Sequence, residues 1–362
     1  MTLPNKPSHY PKRFFCTLDG IRGLAAILVA MSHTLVFLNP ITLNEAHLAV
    51  DIFFLLSGVV LANAYEQRLL AGLGTWRFIV IRVIRIYPLY LLGCLITILS
   101  LASGIGSQED AAHLFLFICL AVFILPNPII GNEHIFPLNA PSWSLFFELA
   151  ANVAYAAFIR TLTTAHLLGI IFISAIGIVL GLYLGHTHTL NIGWTLKGLP
   201  FGLFRVGYSF FGGVLLYRIF RSGHLPVTCA TAVRSWVPLL LFAIVALVLT
   251  SSPPAALVPY VELAAVTIVF PVLVYLALWF EPETRTARVF TFLGGISYPL
   301  YAVHFPLATF TKEYFKQIIG TPVQTYAPYG GVCLILSLML LAWMLDKLCD
   351  TPLRRALMKR LI

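Results

Sequence analysis

Apolar runs recur from one end of this chain to the other, and no other feature constrains its fold as much. Runs long enough for, or close to, the ~20 residues that cross a bilayer as helix begin near Ile21, His47, Val83, Ala111, Trp143, Ala165, Phe201, Trp236, Val258, Phe290 and Tyr329. No segment longer than a few dozen residues lacks such a stretch, so no room is left for a separate soluble domain. Only 10% of the 362 residues are charged, against about a quarter in soluble domains. The sequence predicts an all-α, polytopic membrane helix bundle.

The formal charge of +9 raises the question of nucleic acid. The basic residues, however, sit at the edges of apolar runs rather than in one interleaved stretch, and the positive-inside bias accounts for them. Lys12 and Arg13 place the N-terminus inside. Lys347, Arg354, Arg355, Lys359 and Arg360 place the C-terminus inside as well, so the number of crossings is even and one run must fail to cross. Arg68, Arg77, Arg82 and Arg85 fix one connection inside, Arg160 a second, and Arg218, Arg221 and Arg234 a third. The odd one out is Ala111 to Leu125, which is short and is followed by a connection, 126–142, without Lys or Arg. Ten crossing helices and one re-entrant or interfacial segment are expected. Residues 1–17, polar and broken by proline, read as a cytosolic tail and not a signal peptide; 18–350 form one membrane domain and 351–362 a basic cytosolic tail. The six cysteines show no CxxC pairing and read as inert thiols.

Against this background the ionisable residues inside apolar runs stand out, because each costs several kcal/mol in hydrocarbon. In "LDGIRGLAAILVAMSHTLVFL" Arg22 and His33 are eleven residues apart, about three helical turns, so they project from one face roughly 16 Å apart along the axis. The orientation gives every polar residue a depth: Arg22, Arg82 and Arg85 near the inner face, and His33, Asp51, Glu148 and His304 in the outer half. Each also has a structural reading. Arg22 can pair with Asp19 at i,i+3, Asp51 can cap its helix, and His33 can be a core histidine with one hydrogen-bond partner.

"RFIVIRVIRIYPLY" carries Arg82 and Arg85 as i,i+3 neighbours. Positive-inside anchoring explains them, and so does bidentate recognition of phosphate oxygens. Ser57 and Gly58 in one span, and Gly294, Gly295, Ser297 and Pro299 in another, read as close packing with a kink at the proline. His186 and His188 have metal-like spacing but no cysteine or carboxylate nearby, and read as loop histidines.

Five blocks, in order and over nearly the whole chain, resemble the membrane acyltransferase family 3: "LDGIRGLAAILVAMSH", "VDIFFLLSGVVLA", "RVIRIYPLY", "PSWSLFFELA" and "LGGISYPLYAVHFPL". Val59 and Pro299 depart mildly from the family pattern, and no esterase-like C-terminal domain is expected. The resemblance implies a ten-span protein of the bacterial inner membrane that moves an acyl group, often acetyl from acetyl-CoA, onto a hydroxyl of a glycan or lipid-linked sugar. It implies His33 as catalytic base with Arg22 in the same motif, and Arg82 and Arg85 on the phosphates of the donor.

Depth and resemblance together give an expected mechanism. Acyl-CoA docks from the cytosol, its thioester rises between helices to His33, and Asp51, Glu148 or His304 orients the imidazole or the acceptor. Ser57, Trp143, Tyr298 and His304 are expected along the substrate path. Neither a tightly bound cofactor nor a metal is expected, and the partners are acyl-CoA, the sugar acceptor and membrane lipid, not nucleic acid. The competing class is a secondary transporter or flippase, for which ten spans and midplane charges would look similar.

Overall fold

The computed structural model describes residues 13–107, 111–128, 134–184, 188–223 and 231–361, and these contain helices and no strand. Most of the expected N-terminal tail, His186, Cys229 and residues 129–133 of the 126–142 connection lie outside the described residues. Six helices are long and apolar enough to cross a membrane by length and composition: α2 (Ala46–Leu70), α3 (Thr75–Ala102), α6 (Thr164–Leu184), α7 (Leu199–Ser222), α9 (Val258–Ala277) and α11 (Tyr329–Leu361). Four others are shorter or more polar: α1 (Cys16–Ser32), α5 (Trp143–Phe158), α8 (Thr231–Leu249) and α10 (Thr284–Tyr314). Three of these, α1, α5 and α10, carry much of the site described below.

The segment expected not to cross contains one short helix, α4 (Leu114–Val122). Nine residues rise only about 13 Å, less than half of the ~30 Å hydrocarbon core. Phe115 and Phe123 are exposed while Phe117 is buried. The carbonyls of Ala121 and Val122 accept the hydroxyls of Tyr90 (2.9 Å) and Tyr87 (3.0 Å), which fasten α4 to α3.

Two helix pairs frame the interior. Water supplies no drive between helices in lipid, so close backbone approach and polar cross-links do the work. In the α2–α7 pair, a Cβ on Gly58 would lie 2.0 Å from the carbonyl oxygen of Phe210, and one on Gly213 would lie 2.1 Å from that of Leu55. Only glycine fits at either position, so Gly58 is a packing residue. Polar links run along the same seam: Asp51 to Arg205, Tyr217 Oη to Asn63 Oδ1 (3.1 Å) and Arg218 to Glu66 (3.1 Å). Sequence numbers rise together along these links, so α2 and α7 run parallel.

The second pair, α1 with α10, is also parallel. Gly23 lies against Leu293, while Arg22 and His33 reach Ser297 and His304 respectively. Pro299 and Pro306 interrupt α10. Proline has no N–H to give the carbonyl four residues earlier, and the Ala302 carbonyl left by Pro306 is satisfied by the buried Asn139 side chain at 2.9 Å. The basic stretch expected as a C-terminal tail continues α11 as helix to Leu361.

Candidate functional site

The face shared by Arg22 and His33 is turned toward α10 along its whole length. At one end Arg22 pairs with Asp19 (2.5 Å), its Nε donates to Ser297 Oγ (3.1 Å), and a terminal nitrogen donates to the Gly294 carbonyl (3.2 Å). At the other end His33 meets His304 at 2.9 Å. Helix α1 stops at Ser32, inside the quoted stretch that runs to Leu38, and after a turn the chain resumes as the single turn Leu35–Leu38. His33 keeps near-helical angles (φ −79°, ψ −7°) at the cap, so the stripe holds while the imidazole becomes exposed. The same break places Ser32, His33 and Leu35 on the wall of a cavity.

The hydrogen bonds assign the protons of this histidine pair. Nδ1 of His304 faces two carbonyl oxygens, Leu300 at 3.1 Å and Tyr301 at 2.9 Å. Carbonyls only accept, so Nδ1 of His304 carries hydrogen and, in the neutral ring, Nε2 accepts. Nδ1 of His33 must then donate to it. The consequence is that Nε2 of His33 carries the lone pair. A base held in one tautomer by a second group behind it is the logic by which nucleophiles are activated. His304 is wholly buried and lines none of the cavities described below, so it stands behind His33.

Three cavities succeed one another through the bundle. The first, about 450 Å³, is lined by Arg13, Arg22, Arg82, Arg85 and Arg354, with Asp19 as the one acidic residue on its wall among the described residues. The second, about 150 Å³, shares Arg22, Arg82 and Arg85 with the first and adds Phe53, Phe54, Ser57, Glu148, Tyr298 and Tyr301. The third, about 390 Å³, holds His33, Arg205, Trp143, Trp194, His134 and Phe305, and meets the second at Tyr301. The Tyr301 hydroxyl bonds Ser144 Oγ (2.7 Å) and the Pro141 carbonyl (2.8 Å), which fixes this ring as the partition between them.

The arginine end attracts anions. Several guanidiniums around one concavity focus a positive potential, and each offers a planar fork of donors suited to phosphate. Arg82 is held by Glu148 (2.8 Å), whose Oε1 also accepts the Ser57 hydroxyl (2.8 Å). Arg85 lies over the Tyr298 ring at 5.9 Å, and the Tyr298 hydroxyl donates to the Ile86 carbonyl. Arg354 is steadied by Asp350 at 2.9 Å. Glu148 therefore lies among the arginines and not beside His33: it is more than a turn along α5 from Trp143, and the long Arg82 side chain reaches up to it.

Asp51 is also occupied elsewhere. It pairs with Arg205 at 2.5 Å, both side chains being 1% exposed. The guanidinium in turn sits over the Trp143 ring at 5.4 Å and donates to the Ile192 carbonyl at 2.8 Å. Asp51 thus braces one wall of the His33 cavity without touching His33. Arg205 escaped the sequence reading, although a lone arginine inside "FGLFRVGYSF" carries the very signal that drew attention to the others. Tyr301 and Trp194 gave no such signal, since aromatics abound throughout the chain.

Residues 17–345 match the family model described as an acyltransferase domain. The chain belongs to membrane acyltransferase family 3. It is accordingly an acyltransferase that moves groups other than aminoacyl. A curated relative, "Protein 2 in picA locus" of Rhizobium radiobacter, is 35% identical over 184 residues, which cover 47% of this chain and 95% of that protein. No solved structure matches the acyltransferase.

Proposed function

We propose that the acyltransferase takes an acyl group, acetyl in the simplest case, from acyl-CoA and places it on a hydroxyl of a glycan or lipid-linked sugar. The observation that carries this reading is the sequence of spaces: an arginine-walled cavity, a smaller space that shares Arg22, Arg82 and Arg85 with it and reaches Tyr301, and a chamber into which His33 opens. A donor with anionic phosphates at one end and a thioester at the end of a slender arm fits that order. Aromatic rings and amides in the chamber, Trp143, Trp194 and Asn191 among them, suit a ring with apolar faces and hydroxyl edges.

In this mechanism Nε2 of His33 removes the proton of the acceptor hydroxyl as its oxygen attacks the thioester carbonyl. The C–S bond then breaks, the sulfur leaves, and the imidazolium returns its proton to that sulfur, giving ester and free CoA thiol. His304 holds His33 in the required tautomer. Arg82 and Arg85 bind donor phosphate, with Arg22 and Arg354 completing the charge. Glu148 and Ser57 set Arg82, Tyr298 sets Arg85, and Asp51 with Arg205 and Trp143 shapes the acceptor chamber.

The arginine end faces the cytosol, where acyl-CoA is made, which puts both termini inside and the His33 chamber outside. Adding α1, α5, α8 and α10 to the six apolar spanning helices gives the even count of ten that the charge pattern requires. The location is the bacterial inner membrane. The test is release of CoA thiol by the purified protein in liposomes supplied with acetyl-CoA and a panel of saccharides. Release that depends on a saccharide supports the reading; no release with any member of the panel, under conditions where acetyl-CoA binds, contradicts it.

A further inference from the structure

Three side chains from distant parts of the chain converge beside the His33 chamber. Glu45 and His47 lie where the chain enters α2, and Glu262 projects from the second turn of α9. One ligand atom from each lies within 4.8 Å of the other two. Glu45 is 2% exposed and Glu262 0%, yet Oε2 of Glu45 receives no hydrogen bond from any described group. Two buried carboxylates facing one another must be neutralised, by a proton shared between them or by a cation.

The surroundings are arranged as they are around metal ligands. Nδ1 of His47 lies 3.0 Å from the Asn44 carbonyl, so it donates there and leaves Nε2, 2.9 Å from Glu262 Oε1, to offer a lone pair in the neutral ring. Glu262 is held in turn by the Thr189 hydroxyl (2.5 Å) and the Leu190 N–H (2.5 Å). A carbonyl behind the imidazole and donors behind the carboxylate are the outer partners that orient ligands. One imidazole nitrogen with two carboxylates is a borderline donor set that suits Zn²⁺ and leaves a fourth position open, and the two negative charges balance a divalent ion.

We propose that Glu45, His47 and Glu262 bind a divalent cation of the Zn²⁺ class. The ion lashes the 44–47 segment to α9, whose Glu262 already holds Thr189 and Leu190 by hydrogen bonds. His47, Asn44 and Asn191 all line the His33 chamber, so the cation fixes the chamber's rim and has a route in through it. This function is structural and does not depend on acyl transfer.

The test uses the full chain in detergent with its affinity tag removed. Metal content is measured as purified; the protein is then stripped with EDTA and titrated with Zn²⁺ near neutral pH. The expected result is a single Zn²⁺ per chain, a rise in melting temperature on adding Zn²⁺, and no competition from Mg²⁺ in large excess. Glu45→Gln and His47→Gln each weaken binding by about tenfold or more, as even loss of an outer partner does. Glu45→Gln keeps the stripped protein's own melting temperature, which separates lost metal from lost fold. Absence of stoichiometric Zn²⁺ binding, or binding unaffected by both substitutions, overturns the proposal.

Discussion

Nδ1 of His33 and Nε2 of His304 lie 2.9 Å apart, and this contact between α1 and α10 determines which nitrogen of His33 meets the cavity. If His304 acts only by holding that tautomer, its loss lowers turnover without weakening binding. We expect His304→Ala to reduce kcat by roughly 10–10²-fold, part of what general-base catalysis contributes, while KM for donor and acceptor stays within about twofold. His304→Gln, whose amide oxygen can accept the His33 proton, retains more activity than His304→Ala. Steady-state kinetics on both variants check this.

Arg85 makes no salt bridge to a carboxylate among the described residues and lines both arginine-walled spaces. It is therefore the cleanest probe of the proposed donor site. Losing a charge-assisted contact worth about 1.5–3 kcal/mol raises the acyl-CoA KM by about 10–10²-fold in Arg85→Ala, with a smaller change in kcat. A dephosphorylated or truncated donor narrows the difference between variant and wild type.

The Asp51–Arg205 pair is the most deeply buried ion pair described. Removing one partner strands the other, which costs about 3–5 kcal/mol for a buried pair. Arg205→Ala is expected to lower the melting temperature and abundance of the protein markedly. Adding Asp51→Ala recovers part of the loss, because the stranded charge is gone; a double-mutant cycle in detergent measures the coupling.

Burial pushes the Glu281 carboxyl above its ordinary range, against the opposing pull of the Thr17 and Cys16 N–H groups and Arg13. An acid whose folded-state pKa is raised binds its proton more tightly folded than unfolded. Its contribution to stability is complete below the unfolded value and is lost as pH rises through the folded one. Glu281→Gln removes this dependence. Melting temperatures followed upward in pH from the ordinary glutamate value of about 4.3 should fall less steeply for the variant than for wild type.

Much of this arrangement was legible in the sequence because hydrocarbon makes polar residues expensive. The eleven-residue spacing put Arg22 and His33 on one face, and the lack of basic residues after Leu125 marked the segment that holds the nine-residue α4. Partner choice was not legible. Of Asp51, Glu148 and His304, which looked equivalent as groups of similar depth, only His304 reaches His33, because which helices touch depends on small residues, Gly58 and Gly213 in the α2–α7 seam and Gly23 in the α1–α10 seam. The stop of α1 at Ser32 was hidden as well, since the polar Ser32, His33 and Thr34 are followed at once by the apolar "LVFL".

The proposed mechanism turns on His33 as the base for acyl transfer to a sugar. Its most direct test is transfer of radiolabel from acetyl-CoA into lipid-linked and polysaccharide fractions, by membranes holding equal amounts of wild type or His33→Ala. The account predicts label in one of these fractions with wild type and a loss of about 10²–10⁴-fold with the variant. Transfer that persists unchanged in His33→Ala would contradict it.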